Sequence, residues 1–205
     1  MTDQEFEAAL IDAAFALGAE AGWLSVSPPA AARHGGLDLA RARFLFPCTG
    51  AILKKFGRLA DASALANASG AGSVRDRLFD LIMLRFDYLQ SRRPGVRALL
   101  RVLPFCPPLA LALTEMNLAS MGWLLEAAGV EAGGIKGALR KRGLLAVWLY
   151  GLRAWDKDES ADLSATMAAV DKALVRAERF ALRFTPGPSA ATNPEVAMQE
   201  PPAVV

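Results

Sequence analysis

The sequence predicts an all-α fold. Alanine, leucine, arginine and glutamate are frequent while β-branched residues are scarce, which favours helix. No segment shows strict alternation of apolar and polar residues between turn residues, as a half-buried strand would. At 205 residues the chain fits one domain, or one with a small appendage, and can bury a core without cross-links.

The sequence predicts a helix-turn-helix-like domain over residues 1–68. The expected helices cover residues 3–21, 28–34, 38–46 and 49–67. Gly22 is a plausible stop for the first helix, Asp38 is a possible N-cap of the third, and Pro47 ends that helix. A long helix, a short helix, a glycine-containing turn and a second short helix follow the helix-turn-helix order.

The sequence predicts a larger helical domain over residues 73–184, which the Ser/Gly-rich loop at 69–73 separates from the first. Ser73 and Asp76 form an acidic variant of the capping box. Further helices are expected at 96–103, 108–128, 135–155 and 161–184, after a break at 91–95. The Pro, Gly, Ala, Ser and Asn composition from residue 185 onward predicts a disordered tail over 185–205.

Composition excludes several function classes. One histidine and two separated cysteines rule out a His₃ metal site and a disulfide scaffold, so we expect no metal and no cofactor. The net charge of +2 argues against a general polyanion binder. The acidic N-terminus does not resemble a secretory signal, so a cytoplasmic protein is expected.

The mean hydropathy of +0.26 is high, yet no transmembrane helix is expected. The most apolar stretches are 99–125, which prolines and polar residues interrupt, and 144–155, which is too short.

Catalysis has little support in the sequence. No nucleophile elbow, P-loop or dinucleotide fingerprint occurs. His34 lies beside a Gly-Gly turn without a nucleophile and is interpreted as a surface residue, while Cys48 and Cys106 are interpreted as small buried apolar residues. We therefore expect that the protein is not an enzyme.

Two sets of motifs carry a resemblance to known families. Gly22-Trp23, the run 41–47 and Ala60-Asp61 occur in the order found in TetR-type proteins, where an aromatic-Pro step like Phe46-Pro47 closes the recognition helix. The resemblance implies a TetR-like fold.

The second half is similar to one lipid-binding branch of that fold, the accessory protein nine family of ubiquinone (coenzyme Q) biosynthesis. The similarity rests on the runs 74–78 and 141–146 and on the series Trp155, Ser160, Thr166 and Asp171. It implies a non-enzymatic homodimer that binds an isoprenoid or quinone-like lipid and presents it to a ubiquinone-biosynthesis hydroxylase at the membrane. Where the family carries an aromatic pair, this chain has Ala138 and Leu139.

The helices expected at 108–128 and 144–155 are apolar on almost every face. They are either central core helices or the walls of a pocket, for which methionine and aromatic side chains are well suited. Glu115 and Asn117 could orient a polar head group, or Glu115 could point to water. With the resemblance, the predicted lipid-binding residues are Leu113, Met116, Met121, Trp123, Leu124, Leu144 and Trp148.

The last expected helix carries a basic stripe that spans only about 60° of arc. The predicted membrane-interface residues are Lys172, Arg176, Arg179, Phe180, Arg183 and Phe184. Such a helix suits an anionic membrane surface, and equally suits packing on the bundle or on a dimer partner. The acidic residues at 156–162 are expected to be solvated.

DNA binding is the alternative function. Residues 33–58 hold six basic residues against one acidic residue, and the candidate DNA contacts are Arg33, Arg41, Arg43, Lys54 and Lys55. Residues 37–41 would enter the major groove, but their side chains are poorly suited to contact bases. At the position where TetR regulators have a phosphate-binding lysine, this chain has Thr49.

Three hypotheses follow. The main one is a lipid-binding accessory protein of ubiquinone biosynthesis, peripheral on the inner face of the cell membrane. The alternative is a ligand-responsive TetR-type transcriptional regulator, and the third is an interaction module without a ligand.

Overall fold

The computed structural model describes the backbone of residues 1–184 and the side chains of residues 1–181. The regular elements in this stretch are all helical, which confirms the predicted all-α class. The α-helices are α1 (Asp3–Ala21), α2 (Pro28–His34), α3 (Leu39–Leu45), α4 (Thr49–Asn67), α5 (Val74–Gln90), α6 (Arg93–Val102), α7 (Pro107–Ala127), α8 (Gly134–Lys157) and α9 (Ser164–Phe184). Short 3₁₀ turns cover Trp23–Ser25 and Leu103–Phe105. The tail predicted over 185–205 lies outside the described residues.

Side-chain caps set several helix starts. Asp38 accepts a hydrogen bond from the backbone N–H of Arg41 at the start of α3. Ser73 and Asp76 form the predicted capping box, in which each side chain accepts a hydrogen bond from the other's backbone N–H, at 3.2 and 3.0 Å. Thr2 caps α1 and Ser27 caps α2 in the same way, and both helices have the predicted bounds.

Helix α6 begins at Arg93 rather than at residue 96, so the predicted break at 91–95 is too long. Pro94 lies in the first turn of α6, where its missing N–H needs no intrahelical partner. A proline-glycine pair therefore starts this helix instead of preventing it.

The Pro94-Gly95 start also allows α1 and α6 to lie very close together. A Cβ atom at Gly95 would lie 2.4 Å from the carbonyl oxygen of Phe15 on α1. The indole Nε1 of Trp23 donates a buried 2.6 Å hydrogen bond to the carbonyl oxygen of Gly95. The first helix is thereby attached to the second half of the chain.

One hydrophobic core crosses the predicted boundary at 69–73. Phe56 of α4 packs against Phe15 of α1 at 4.3 Å between ring centroids and, across the boundary, against Tyr88 of α5 at 5.4 Å. The boundary between residues 1–68 and 73–184 stays a prediction, since no feature of the described chain separates the two parts.

Within the described chain, no helix is both long enough and apolar enough to cross a membrane.

Candidate functional site

Helices α4 to α8 enclose an apolar cavity of about 180 Å³. Its walls come from five helices and from the turn that follows α6. Lining side chains include Leu53, Phe56, Leu99, Leu113, Met116 and Trp148. Thr114 and Leu149 also line it and are exposed, so the cavity reaches the protein surface beside them.

A cluster of buried polar side chains lies at the wall of this cavity. Arg85 of α5 is only 3% exposed, and its guanidinium lies 4.3 Å from the centre of the Trp148 ring. The Nε atom of Arg85 is 3.0 Å from Oδ1 of Asp61 on α4. Ser120 of α7 donates a 2.6 Å hydrogen bond to the other Asp61 oxygen, and Asn117 Oδ1 accepts a long, 3.4 Å bond from Arg85 Nη2.

The hydrogen-bonding capacity of this cluster is not used up. Arg85 Nε and Asp61 Oδ1 are close, but their alignment is too poor for a hydrogen bond, so their contact is an ion pair. Arg85 Nη1 has no hydrogen-bond partner in the described part of the chain. Burial lowers the pKa of Arg85, and the neighbouring Asp61 carboxylate raises it in partial compensation. Buried donors without acceptors are rare in folded proteins, and they point to a missing partner.

Three of the seven predicted lipid-binding residues meet at this cavity, namely Leu113, Met116 and Trp148. Met121 and Leu124 are fully buried in the solid core, and Leu144 lines a different depression, between α5, α8 and α9.

Trp123, the remaining predicted lipid-binding residue, does not line the cavity between α4 and α8. It is 66% exposed, on an outward face that it shares with Ala119 one turn earlier and Glu115 two turns earlier. Helix α7 is apolar all round in sequence, yet its neighbours cover only part of its circumference. Of the two proposed head-group residues, Asn117 lies at the cavity and Glu115 is exposed.

Neither Arg85 nor Asp61 is among the site residues predicted from the sequence. A signal exists for each: both interrupt an apolar helical stripe. Arg85 lies three residues after Ile82 and four before Leu89, which are both buried. Asp61 follows the buried Ala60. A charged residue on a core-facing stripe is a candidate buried charge, and buried charges need partners.

The candidate DNA contacts are partly neutralised by α1. Arg41 is paired with the Asp3 carboxylate and lies over the Phe6 ring, and Lys55 forms a 2.6 Å ion pair with Glu7. Arg33, Arg43 and Lys54 are exposed, and Arg43 also donates to the carbonyl oxygen of Pro47.

Helix α3 occupies the position of the recognition helix. Its exposed residues are Leu39, Ala40, Arg43 and Phe44. Phe44 is 85% exposed, and Phe46, whose role at the end of the helix was predicted, is buried. The outward face of α3 therefore carries one cation and no amide side chain for adenine contacts.

The apolar side of α9 packs on the bundle. Val170, Ala173 and Leu174 are buried, and α9 contacts α8 and α5. Because a helix face cannot insert in a membrane while it is buried in the core, this part of α9 is not free to dock on lipid. Lys172, Arg176, Arg179 and Phe180 are exposed. The side chains of Arg183 and Phe184 lie outside the described residues.

A second, shallower groove of about 510 Å³ runs between α8 and α9. Leu139, Tyr150 and Phe180 give it apolar walls, and Arg140 and Arg176 add positive charge. The exposed apolar side chains make this groove a candidate surface for another protein or for a membrane.

The acidic stretch before α9 is not all solvated, so that prediction needs correction at Asp158. This residue is 4% exposed. Burial raises the pKa of its carboxyl, but hydrogen bonds from Ser160 and from the hydroxyl and backbone N–H of Thr166 outweigh burial and lower the pKa to about 2. Asp158 thereby caps the start of α9.

Two smaller predictions are corrected as well. Cys48 is exposed and Cys106 is half-buried, so neither is a buried apolar residue. Cys48 is the residue just before α4 begins, where the chain passes over the surface.

No group of histidine, cysteine and acidic side chains in the described chain could hold a metal ion.

The fold is similar to that of two solved regulators. The TetR transcriptional regulator from Nitrosomonas europaea superimposes with a TM-score of 0.67 at 21% identity, over 84% of this chain and 98% of that chain. A TetR-family transcriptional regulator from Streptomyces coelicolor gives a TM-score of 0.60 at 14% identity, over 90% of this chain and 86% of that chain.

At these identities the similarity establishes a TetR-like fold, as the sequence motifs had predicted. The sequence matches no family model and no curated protein in the comparisons made.

Proposed function

We propose that this protein is a non-catalytic binding protein for a small, mainly apolar molecule, which occupies the cavity between α4 and α8. The observation that carries the proposal is the pairing of apolar walls with one buried polar cluster around Arg85. Ligand sites commonly combine an apolar lining with a few well-placed polar groups.

The size of the cavity limits what it can hold in its present form. A cavity of about 150 Å³ in an engineered protein binds benzene, and the present one measures about 180 Å³. One substituted ring fits, whereas an isoprenoid tail does not. In the lipid hypothesis the head ring therefore occupies the cavity, and the tail leaves beside Thr114 and Leu149.

The first candidate for the role of ligand binding is control of DNA binding, in a ligand-responsive transcriptional regulator. The similar structures support it better than they support lipid presentation, because both of those proteins are transcriptional regulators. Helix α4 lines the cavity and directly follows α3, so a ligand that shifts α4 would also move α3. Arg33, Arg43 and Lys54 would contact phosphates.

Presentation of an isoprenoid or quinone-like lipid to a ubiquinone-biosynthesis hydroxylase at the membrane is the second candidate. It is favoured by the outward face of α3, where Leu39 and Phe44 stand in place of base-contacting residues. It is also favoured by the loss of two DNA-contact candidates to ion pairs with α1. Lys172 and Arg179, which are exposed and lie outside the groove between α8 and α9, would face the anionic lipid surface.

In both hypotheses we propose a homodimer, formed through the groove between α8 and α9. Its apolar walls at Leu139, Tyr150 and Phe180 are the kind of exposed patch that subunit interfaces cover.

The binding proposal is tested by organic extraction and mass spectrometry of the purified full chain. We expect a co-purified apolar molecule that carries a ring. A chain that is empty after gentle purification, and that takes up no ring compound when challenged, would contradict the proposal.

Fluorescence anisotropy with DNA from the gene's own upstream region separates the two outputs. A regulator should bind this DNA with sub-micromolar affinity and steep salt dependence. The substitution Arg43→Glu should abolish this binding. The control Arg153→Glu, at an exposed position of α8, should leave it unchanged. Absence of any specific DNA binding, together with binding to anionic vesicles that Arg179→Glu weakens, would favour lipid presentation.

A further inference from the structure

We propose that the cavity selects a ligand whose ring carries a neutral hydrogen-bond acceptor, such as a carbonyl oxygen, which accepts from the guanidinium of Arg85. This inference rests on the proposed function, since it assumes that the cavity binds an apolar molecule. It adds the chemical class of the group that is recognised.

The first argument is the donor count at Arg85. A guanidinium has five N–H donors. Nη2 has only the 3.4 Å contact with Asn117, Nε is poorly aligned with Asp61, and Nη1 has no partner in the described part of the chain. The side chain is 3% exposed, so the donors it leaves unused cannot rely on bulk water. An acceptor on the ligand at the guanidinium would remove part of the cost of these incompletely used donors.

The second argument is charge. Asp61 lies 3.0 Å from Arg85, and together the two side chains carry no net charge. A carboxylate ligand at the Arg85 guanidinium would bring a second negative charge next to Asp61, whose Oδ1 already lacks a hydrogen-bond donor. The buried site would then carry an uncompensated charge, which is costly. The charge balance therefore favours a neutral acceptor over an anion.

The third argument is shape. Trp148 covers one side of the guanidinium at 4.3 Å and is itself stacked on Phe86, which limits its movement. Leu113 and Met116 line the same space. A flat ring with one acceptor at its edge can meet the guanidinium edge while its faces contact apolar side chains.

The test uses three probes of nearly equal size: acetophenone, which has a neutral carbonyl, ethylbenzene, which has none, and benzoate, which is charged. Binding to the full chain is measured by calorimetry at pH 7. Because a hydrogen bond to a charged group is worth more than tenfold in affinity, we expect acetophenone to bind about tenfold or more tightly than ethylbenzene. Benzoate should bind more weakly than acetophenone.

A matched pair of variants assigns the selectivity to Arg85. Removal of Arg85 alone would leave Asp61 buried and unpaired, so the variant removes both in Arg85→Met with Asp61→Leu. This variant should bind acetophenone and ethylbenzene equally. The control Arg153→Met, at an exposed position of α8, should keep the wild-type selectivity.

A second readout does not depend on the double variant folding. In the wild-type chain, ¹⁵N resonances of the Arg85 guanidinium should shift on addition of acetophenone and much less on addition of ethylbenzene. Equal affinities for these two probes, or tighter binding of benzoate, would overturn the inference and leave the binding proposal intact. Failure of all three probes to bind would overturn both.

Discussion

At the scale of single residues, the partners of a charged side chain decide whether it is buried or exposed more than its residue type does. Arg85, Asp61 and Asp158 are buried, whereas Glu115 and Arg153 are exposed. The sequence could indicate the first two, because they interrupt apolar stripes. It could not indicate Asp158, which lies in an acidic run between helices and is buried only because the segment 158–166 folds back around it.

Replacement of Asp158 by asparagine should destabilise the fold, because it weakens the cap of α9. We expect a loss of about 1–2 kcal/mol at neutral pH, measured by urea unfolding. The control Asp171→Asn, at an exposed position of α9, should have little effect.

The pH dependence of this loss follows from the low pKa of Asp158, about 2 in the folded chain against about 3.9 when unfolded. The folded state binds fewer protons in this interval, so the stabilisation is complete above pH 4 and is lost as the pH falls towards 2. The difference between wild type and Asp158→Asn should therefore shrink at pH 3. A difference that is constant from pH 7 to pH 3 would contradict this assignment.

At the scale of helices, the sequence predicted where the elements lie better than which faces they bury. The bounds of α1, α2 and α4 agree with the prediction because caps, prolines and glycines act locally. The faces of α7 and α9 depend on which neighbours pack against them. Because the sequence of α7 is apolar on almost every face, it has no polar side to indicate the outside, and it therefore predicts a pocket position for the exposed Trp123.

Close packing of α1 on α6 predicts a large effect at one glycine. A Cβ at Gly95 would collide with a backbone oxygen at 2.4 Å, so Gly95→Ala must push the two helices apart. We expect a loss of about 2–3 kcal/mol, measured by thermal or urea unfolding. In contrast, Gly143→Ala on α8 meets open space and should be neutral or slightly stabilising. Equal effects of the two substitutions would refute the tight contact.

At the scale of the whole molecule, one core joins the helix-turn-helix-like part to the cavity. Helix α4 belongs to the first part in sequence, yet it supplies Leu53, Phe56 and Asp61 to the cavity and its polar cluster. A ligand in the cavity therefore contacts both halves of the chain. The sequence predicted the TetR-like order of the helices, but it could not predict this shared wall, which arises only from long-range packing.

The proposed dimer gives a prediction at the same scale. Light scattering coupled to size exclusion should show a dimer, and Leu139→Asp with Tyr150→Asp should give a monomer, because two charges would be placed in an apolar interface. Trp123→Asp, on the outward face of α7, is the matched control and should remain dimeric. A wild-type monomer at micromolar concentration would exclude this interface.

The central claim, that the cavity between α4 and α8 holds an apolar ligand, is tested most directly by filling it. Gly57 lines the cavity, and a Cβ there meets no atom within 4 Å, so a larger side chain has room. Gly57→Leu should occupy the space, and Gly57→Ala controls for the gain in helix propensity.

The measurement is the amount of apolar molecule retained by wild type, Gly57→Ala and Gly57→Leu, determined by native mass spectrometry and extraction. We predict retention in the first two and a loss of tenfold or more in Gly57→Leu, with all three folded. Equal retention by the three proteins would show that the ligand binds elsewhere and would contradict the account.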